Sequence, residues 1–507
     1  MPNFGILIGM FCKKGRTPMR KIGFDNDKYL QLQSQHIRQR IAQFGGKLYL
    51  EFGGKLYDDN HAARVLPGFQ PDSKLRMLLQ LADQVEMVIA INAGDIEKNK
   101  IRGDLGITYD RDVIRLLDVF RGFGLYVSSV VLTRYVDQPG VRAFQARLES
   151  LGVRVYHHYD IPGYPSDTAR IVSEEGFGKN DYIETTRELV VVTAPGPGSG
   201  KLATCLSQLY HEHKRGAQAG YAKFETFPVW NLSINHPVNL AYEAATADLS
   251  DVNMIDPFHL EAYQEMIVNY NRDVEAFPVL VTMFEKLLGR CPYKSPTDMG
   301  VNMVGNCIVY DAETRRASGQ EIIRRYYTAL CDFKQGKLGE DVIRKLELLM
   351  RKAGVDPVED RRVVKAALDR AESLGAPSAA MELPDGTVIT GKTSDLLGAS
   401  AALLLNALKA LAGLEDELHL ISPSVIDPIQ HLKVDHFGNR NPRLHTNEVL
   451  IALSICAATD PRAEQAMEQL DRLRGCEVHS SVMLSSVDES TFKRLGVNLT
   501  CQPRYKA

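Results

Sequence analysis

Residues 188–216 constrain the fold more than any other stretch, because they combine a strand, a glycine-rich loop, a lysine and a helix. Leu189–Thr193 is an apolar, mostly β-branched run, which predicts a buried strand. Three glycines follow within residues 194–200, and glycine permits backbone angles closed to other residues. The pattern from Leu202 to Lys214 predicts a helix that stops at Gly216.

This order of elements is suited to holding a phosphate. Loop N–H groups can converge on the anion, the helix N-terminus adds partial positive charge, and a lysine adds a full charge. The predicted phosphate-binding residues of this stretch are Gly196, Gly198, Ser199, Gly200, Lys201 and Thr204.

The glycine loop departs from the phosphate-loop consensus at two positions. Pro195 stands where the first glycine belongs, and Leu202 stands where a magnesium-binding Ser or Thr belongs. Thr204, one helical turn beyond Lys201, is placed to substitute for that hydroxyl. The alternative interpretation is a glycine-rich turn whose lysine is merely solvated.

A second stretch, residues 386–393, matches the same consensus letter for letter but lies in a different context. Pro384, Asp385 and Gly386 form a turn signal, and residues 387–390 are a β-branched run. Such residues favour an extended strand, so the sequence predicts a hairpin that leads into a helix near Ser394.

Composition bounds the class of protein. A chain of 507 residues is too long for one core and predicts two to four domains. A net charge of −3 gives no electrostatic footprint for nucleic acid. The eight cysteines include no C-x-x-C pair, so neither a metal site nor a disulfide framework is indicated. A reducing cytoplasm is the expected compartment.

The sequence predicts no membrane-spanning segment, and it predicts additional residues before the native start of the chain. The most apolar stretch, residues 396–414, is interrupted by Ser400, Asn406 and Lys409 and fits a buried helix better. Residues 1–18 carry an apolar run followed by basic residues, the reverse of a secretory signal. We interpret residues 1–18 as an N-terminal extension, with Met19 as the candidate native start.

The first part of the chain alternates between strand and helix patterns, as a parallel α/β sheet requires. Strands are predicted at residues 85–93, 126–133, 153–158 and 189–193, and helices at 27–43, 111–120 and 141–151. The similar segments 44–49 and 52–57 predict two further strands, each entered through a glycine turn. The alternative interpretation is that Lys47 and Lys55 of these segments face a bound anion.

Ligands of such sheets gather at the carboxyl ends of the strands. One loop there is the glycine loop, and the other is residues 92–104, which offers Lys100 and Arg102 to an anionic group. A solvated charged loop is the alternative for the second loop.

Past Phe227 the sequence is polar and then helical, with helices predicted at residues 239–247, 258–269 and 274–288. Asp256, His259 and Asp298 are the candidate catalytic residues. A helix often starts at an Asp or Ser that precedes proline, as in Asp256-Pro257 and Ser295-Pro296. We therefore favour the interpretation that Asp256 and Ser295 cap the N-termini of helices. Candidate substrate-binding residues are His236, Asn239, Lys294 and Asn302. Cys307 is expected in a buried strand.

The remaining sequence predicts a helical region and a second α/β domain. Residues 318–374 are charged and helical, helices are predicted at 393–411 and 447–458, and residues 477–501 predict strand, helix and strand. The expected domains are an α/β phosphate- or nucleotide-binding domain (19–230, Rossmann-like or phosphate-loop-like), a helical domain (231–375) and a three-layer α/β subdomain (376–507).

Several long motifs resemble one bacterial family, known as domain of unknown function 1846 or uncharacterised protein family 0371. The motifs are residues 23–30, 95–104, 194–201, 295–302 and 495–501. The likeness extends from Met19 to the end of the chain. It implies a cytoplasmic bacterial protein with an N-terminal α/β part, a helical middle and a C-terminal α/β subdomain, and it implies no particular activity.

The sequence therefore predicts an enzyme that acts on a phosphorylated small molecule or nucleotide. Magnesium bound together with such a ligand is the cofactor that this chemistry would suit. A nucleotide- or metabolite-binding regulatory protein without catalysis is the first alternative, and an assembly scaffold is the second. The apolar helices of the C-terminal half favour a homo-oligomer.

Overall fold

The computed structural model describes residues 22–103, 105–249 and 251–505, and the predicted extension at residues 1–18 lies outside them. The chain divides into two compact units. One is Ile22–Ser318, here the N-terminal unit, and the described part of the other is residues 319–505, here the C-terminal unit.

The strands of the N-terminal unit are β1 (Leu48–Phe52), β2 (Val85–Asn92), β3 (Ile101–Arg102), β4 (Ile107–Thr108), β5 (Tyr126–Thr133), β6 (Arg154–His157), β7 (Leu189–Thr193), β8 (Gly220–Phe224), β9 (Asn253–Ile255), β10 (Val268–Tyr270) and β11 (Gly300–Val301). Its helices are α1 (Asn26–Gln43), α2 (Asn60–Val65), α3 (Ser73–Leu79), α4 (Ala93–Glu97), α5 (Tyr109–Gly122), α6 (Pro139–Ser150), α7 (Thr168–Ile171), α8 (Lys201–Lys214), α9 (Pro237–Ala245), α10 (Pro257–Tyr263), α11 (Asn271–Leu288) and α12 (Pro296–Met299).

Seven described strands form one sheet in the order β11-β8-β1-β7-β2-β5-β6. Every neighbouring pair in this sheet is parallel, which confirms the predicted parallel α/β class. The central strand β7 is buried at all five positions, as its uninterrupted β-branched sequence requires. Helices α8 and α11 pack over one face of the sheet, where Tyr49, Val190, Val192, Leu206 and Phe284 belong to one apolar core.

The chain leaves β2 and β7 in opposite directions across the sheet. From β2 it proceeds through α5 to β5 and through α6 to β6, toward one edge. From β7 it proceeds through α8 to β8, past β1 and toward the other edge. Neighbouring strands whose connections diverge in this way open a crevice at their carboxyl ends, which is where open α/β sheets bind ligands.

Several predicted elements of the N-terminal unit differ in the structure. The helix expected at residues 258–269 ends at Tyr263, and the chain then forms β10, which pairs with β9. Of the two strands expected from the repeat, only β1 forms within the described residues. Cys307 is buried as predicted but ends a 3₁₀ turn rather than lying in a strand. Strands β8 and β11 had not been predicted.

The C-terminal unit is built on a mixed sheet of β12 (Ser378–Glu382), β13 (Val388–Lys392), β14 (Glu477–Ser480) and β15 (Asn498–Cys501), in the order β13-β12-β14-β15. The helices of this part of the chain are α13 (Asp311–Lys334), α14 (Glu340–Ala353), α15 (Arg362–Leu374), α16 (Ala399–Ala412), α17 (Pro423–His431), α18 (Thr446–Ala457), α19 (Pro461–Met467) and α20 (Ser486–Arg494).

Helices pack on both faces of this second sheet. Ala380 of β12 contacts the α15 residues Val363 and Ala367, whereas Ala379 and Met381 join the larger core that contains α16. Because successive strand residues point to opposite faces, these contacts confirm a three-layer arrangement. The predicted hairpin is also present, as β12 and β13 pair antiparallel. The helix expected from Ser394 begins at Ala399.

Among the helices of the described residues, none is both long enough and apolar enough to cross a membrane.

Candidate functional site

The crevice between β2 and β7 is bordered by the two loops that the sequence singled out. The glycine loop, residues 194–200, follows β7, and the charged segment that begins at Asn92 follows β2. The two loops touch, because the Asn92 side-chain amide lies 3.5 Å from the carbonyl oxygen of Gly198. Tyr109, at the start of α5, packs its ring against Gly196. The strand order thus brings both predicted loops into one place.

The glycine loop is held in one conformation by its neighbours. The Ser199 hydroxyl donates to the carbonyl of Gly196 at 2.9 Å, and the Thr133 hydroxyl donates to the carbonyl of Ser199 at 2.8 Å. Gly200, with φ of 84°, is the N-cap of α8, and a Cβ there would lie 3.0 Å from Thr133. Positive φ and close packing both require glycine at this position.

The first turn of α8 presents donors without acceptors. No side chain caps α8, and the described residues supply no hydrogen-bond acceptor to the backbone N–H groups of residues 198–203. Lys201 is half-buried and has no ion-pair partner among the described residues. Backbone N–H groups at a helix start, together with an unpaired ammonium group, form a site of positive potential that suits an anion.

Thr204 adds a hydroxyl to the same turn. It is fully buried, and its Oγ1 has no hydrogen-bond partner in the described ranges. Because the Cα–Cβ bonds of a helix tilt toward its N-terminus, this side chain lies over the turn that begins at Lys201. A buried hydroxyl without a partner is costly unless a ligand or water completes it.

Lys100 approaches the glycine loop through Tyr109. Its ammonium group lies 3.2 Å from the Asp95 carboxylate and 4.9 Å from the centre of the Tyr109 ring, and the hydroxyl end of that ring lies against Gly196. The lysine side chain is substantially exposed, at 43%. Lys100 is thus a mobile cation at the rim of the crevice.

Arg102, by contrast, forms a buried ion pair within the protein. Its guanidinium group pairs with Asp112 at 2.7 Å, and both side chains are buried. Arg115 binds the other oxygen of Asp112 at 2.8 Å. A buried, hydrogen-bonded pair of this kind holds the β3–β4 hairpin to α5 and leaves Arg102 less available to a ligand than Lys100.

The three candidate catalytic residues lie together, but not at this crevice. Asp256 caps α10, and its other carboxylate oxygen accepts from the Thr297 hydroxyl at 2.6 Å. The His259 ring contacts the Ser295 hydroxyl at 2.9 Å, and Asp298 accepts from Tyr263 at 2.9 Å. Asp256 and Ser295 both cap helices, as the sequence favoured.

This cluster precedes strand β11, whereas the glycine loop follows strand β7. Strand β11 pairs with Lys223 and Phe224, the last two residues of β8, and lies at the edge of the sheet. Strands β11 and β7 are separated by three strand spacings, about 14 Å across the sheet. The structure therefore does not bring Asp256, His259 and Asp298 together with the phosphate-binding candidates.

The candidate substrate-binding residues make contacts within the protein. His236 caps α9 and pairs with Asp311 at 2.8 Å, and burial lowers the pKa of its ring. Asn239 binds both backbone groups of Val229, and Asn302 donates to the carbonyl of Pro228 at 3.0 Å. The Lys294 ammonium lies 5.2 Å from the ring of Tyr263. The first three hold the segment after β8 in place.

Sequence reasoning missed a charged cluster at the carboxyl ends of β1 and β8. Lys223 contacts the carboxylates of Glu225, at 2.8 Å, and Asp273. Glu51 lies opposite Lys223 in the sheet and accepts from the Tyr221 hydroxyl at 2.7 Å. The available signal was a charged residue near the end of an otherwise apolar strand, as in Leu-Tyr-Leu-Glu-Phe and Gly-Tyr-Ala-Lys-Phe-Glu.

Burial and charge shift the ionisation of this cluster. Burial raises the pKa of the Glu225 carboxyl to about 7, since Asp273 adds a further increase and Lys223 only partly offsets both. Burial lowers the pKa of Lys223, but Asp273 and Glu225 outweigh it and raise it well above its ordinary value. Lys223 is therefore charged at neutral pH, while Glu225 changes its charge near it.

Metal binding has little support from protein ligands alone. Within the described ranges no group of three or more His, Cys, Asp or Glu side chains is arranged to hold a metal ion. Magnesium, however, is commonly bound by one or two carboxylates together with substrate phosphates. Glu51, on the strand next to β7, pairs in register with Val192 and is a carboxylate near the end of the glycine-loop strand.

The second consensus match does not form a phosphate loop. Residues 386–393 comprise the tip of the β12–β13 hairpin and strand β13, as the β-branched residues predicted. No helix begins directly after Lys392, because α16 starts at Ala399. The same letters therefore lack the strand–loop–helix geometry that residues 189–214 have.

Fold and site define a two-unit α/β protein with a glycine-loop crevice in its N-terminal unit, and comparisons assign it to a family. The family domain described as DUF1846, N-terminal, matches residues 22–354, and DUF1846, C-terminal, matches residues 359–507. The chain belongs to the DUF1846 family.

Close relatives carry the name UPF0371 protein. The chain is 60% identical over 485 residues to the protein from Corynebacterium urealyticum, covering 96% of this chain and 97% of the relative. It is 58% identical over 488 residues to the protein from Streptococcus thermophilus, covering 96% and 99%. The protein from Corynebacterium diphtheriae is 60% identical over 488 residues, covering 96% and 98%.

Proposed function

We propose that this protein is an enzyme that acts on a phosphorylated small molecule or nucleotide, and that the glycine loop holds the phosphate. The observation that carries the proposal is a set of backbone N–H groups, at residues 198–203, for which the described part of the chain offers no acceptor, beside the Lys201 ammonium, which has no ion-pair partner there. A tetrahedral dianion satisfies several such donors at once and is stabilised by the positive end of α8.

The rest of the crevice supports a ligand larger than phosphate alone. Lys100 at the rim would meet a second anionic group, and the Thr204 hydroxyl would complete the polar contacts in the first turn of α8. Further ionisable groups lie at the carboxyl ends of β1 and β8. Such a site would contribute to phosphate chemistry by positioning the substrate and by stabilising charge in the transition state.

A ligand screen by thermal unfolding tests the proposal. The purified protein is compared with Lys201→Met against nucleotides, sugar phosphates and inorganic phosphate, with and without magnesium. A ligand at a hundred times its dissociation constant stabilises the folded state by about 2.7 kcal/mol, which a melting curve registers. We expect one phosphorylated class to stabilise the wild type and to lose that effect in the variant.

Turnover then separates an enzyme from a binding protein. The stabilising ligand is incubated with the protein and its products are followed by phosphorus NMR. Conversion supports the enzyme, and saturable binding without conversion supports the regulatory alternative. Failure of every phosphorylated ligand to stabilise the wild type contradicts both.

A further inference from the structure

A buried set of ionisable side chains lies next to the glycine-loop crevice and is not used by the phosphate-binding proposal. We call it the Glu225 cluster, and its members are Glu51, Lys223, Glu225, Tyr270 and Asp273. Lys223 and Glu225 come from β8 and the residue after it, and Asp273 lies in the first turn of α11. Glu225 is only 5% exposed.

The cluster contains more carboxyl groups than its single ammonium can neutralise. Lys223 contacts both Glu225 and Asp273, and the two carboxyl groups also contact each other. Two like charges in contact in a buried site cannot both remain ionised at low cost, so protonation of one of the two carboxyl groups is favoured. A purely structural ion pair would need only one of the two carboxylates.

The register of the sheet places this cluster beside the phosphate-binding candidates. Glu51 of β1 is the direct neighbour of Val192 in β7 on one side and of Lys223 in β8 on the other. Strands β7 and β8 are thus separated by two strand spacings, about 10 Å. Lys201 also lies on this side, since both its charge and that of Glu51 act on the Cys205 thiol one turn along α8.

Glu51 connects the buried groups with the exterior. Its side chain is half-buried, and its carboxylate acts on Tyr164, a residue that is 40% exposed. The Tyr221 hydroxyl donates to Glu51 at 2.7 Å, and the Lys223 ammonium group lies on the neighbouring strand position. Glu51 also acts electrostatically on Lys223, so it links the cluster to the exposed Tyr164.

We propose that Glu225 is the proton-transfer group of this site: its carboxyl, which contacts Asp273 and Lys223, takes up a proton from solvent when an anion binds at the glycine loop. This inference rests on the proposed phosphate site. The balance is simple, since a carboxylate and a solvent proton become a carboxylic acid. A negative charge brought near a carboxylate favours its protonated form.

The groups around Glu225 support proton exchange at its carboxyl near neutral pH. Burial raises the pKa of Glu225 to about 7. The ionisable groups that face it are Lys223 from its own strand, Glu51 from β1, Tyr242 from α9, Tyr270 from β10 and Asp273 from α11. Of these, only Lys223 is a cation; Arg272 of α11 lies 5.8 Å from the centre of the Tyr270 ring and pairs with Asp251.

The test is titration calorimetry of inorganic phosphate in buffers of different ionisation enthalpy near neutral pH, which gives the number of protons exchanged on binding. Wild type is compared with Glu225→Gln, and the ionisation of phosphate itself cancels in the difference. Glu86→Gln is the matched control, because Glu86 is also fully buried but lies at the amino end of β2.

We expect wild type and Glu86→Gln to take up a fraction of a proton more than Glu225→Gln, with phosphate binding retained in all three. Asp273→Asn provides a second variant that keeps Glu225: because it removes the neighbouring carboxyl, the extra uptake is expected to move to lower pH.

Equal uptake in wild type and Glu225→Gln, with binding intact, overturns this inference and leaves the phosphate site standing. Uptake that is unchanged in Asp273→Asn at every pH also overturns it. If wild type binds no phosphate, the proposed function and the inference fall together.

Discussion

Gly196 in the glycine loop lies so close to Tyr109 that a Cβ on this glycine would be 2.6 Å from the ring carbon Cζ. Tyr109 begins α5, and the same ring lies below the Lys100 ammonium group at 4.9 Å. One aromatic side chain therefore sets the spacing between the two loops that border the crevice.

Replacing Gly196 by Ala is expected to push the glycine loop away from Tyr109. Overpacking of this kind costs about 1–3 kcal/mol in the free energy of unfolding, and it should also weaken binding of phosphorylated ligands. Urea unfolding and calorimetry measure the two effects. Gly122→Ala at the end of α5 is the control, because a Cβ there meets nothing and alanine is the better helix former by up to about 1 kcal/mol. Equal stability of the two variants would contradict the packing argument.

We expect Arg102 to contribute mainly to stability and Lys100 mainly to ligand binding. Arg102→Met leaves Asp112 buried with one partner fewer, so we expect a loss of about 3 kcal/mol in the free energy of unfolding. Lys100→Met breaks a pair whose lysine is exposed and should cost less than about 1 kcal/mol while weakening ligand binding. Chemical denaturation of both variants checks the first comparison. A stable Arg102→Met protein that fails to bind ligand would contradict it.

Substitutions in the His259 and Asp298 cluster should leave phosphate affinity unchanged. The cluster precedes β11, and β11 lies about 14 Å from β7 across the sheet, which is more than the Debye length of about 8 Å at physiological salt. Calorimetric titration of Asp298→Asn and His259→Gln with phosphate, against wild type, is the measurement. A loss of affinity as large as that of Lys201→Met would mean that the two groups share one site.

Stability should depend on pH through Glu225. The pKa of its carboxyl is raised from 4.5 to about 7 in the folded protein, so the unfolded chain releases this proton at lower pH. Between those values the folded state binds more protons than the unfolded state, and stability falls as pH rises. Glu225→Gln removes this contribution. Urea midpoints at about pH 5 and about pH 8 should therefore differ less in the variant than in wild type, and an unchanged difference would contradict the raised pKa.

The parallel sheet could be predicted from sequence because its central strands are continuous apolar runs. Leu189–Thr193 has the same bounds in prediction and structure, and Tyr126–Thr133 does as well. Strand β8 was missed because Gly220, Lys223 and the following Glu225 interrupt its apolar character. Those charges are in fact buried and paired, a property that only the contact with α11 reveals.

The candidate site, like the sheet, could be predicted from sequence only in part. The glycine loop was visible because its glycines, Lys201 and the flanking elements are contiguous in sequence. Its closeness to Lys100 follows from the strand order, which places β7 beside β2 although the two are far apart in the chain. No local pattern indicated that Glu51 would lie between Val192 and Lys223, since that depends on β1 pairing with both β7 and β8.

The helix prediction for residues 258–269 failed for a related reason. The segment after Tyr263 has apolar residues that suit either a helix or a short strand. Gln264 adopts a left-handed conformation with φ of 60° and ends α10, and residues 268–270 then pair with β9. Tertiary pairing outweighed the local preference here.

Anomalous diffraction from crystals soaked in selenate locates a tetrahedral oxyanion directly and tests the central claim, that the glycine loop is an anion site. The account predicts an anomalous peak within hydrogen-bond distance of the N–H groups of residues 198–203 and of the Lys201 ammonium, absent from Lys201→Met crystals soaked in the same way. An empty glycine loop in the wild type, with selenate bound elsewhere or not at all, would contradict it.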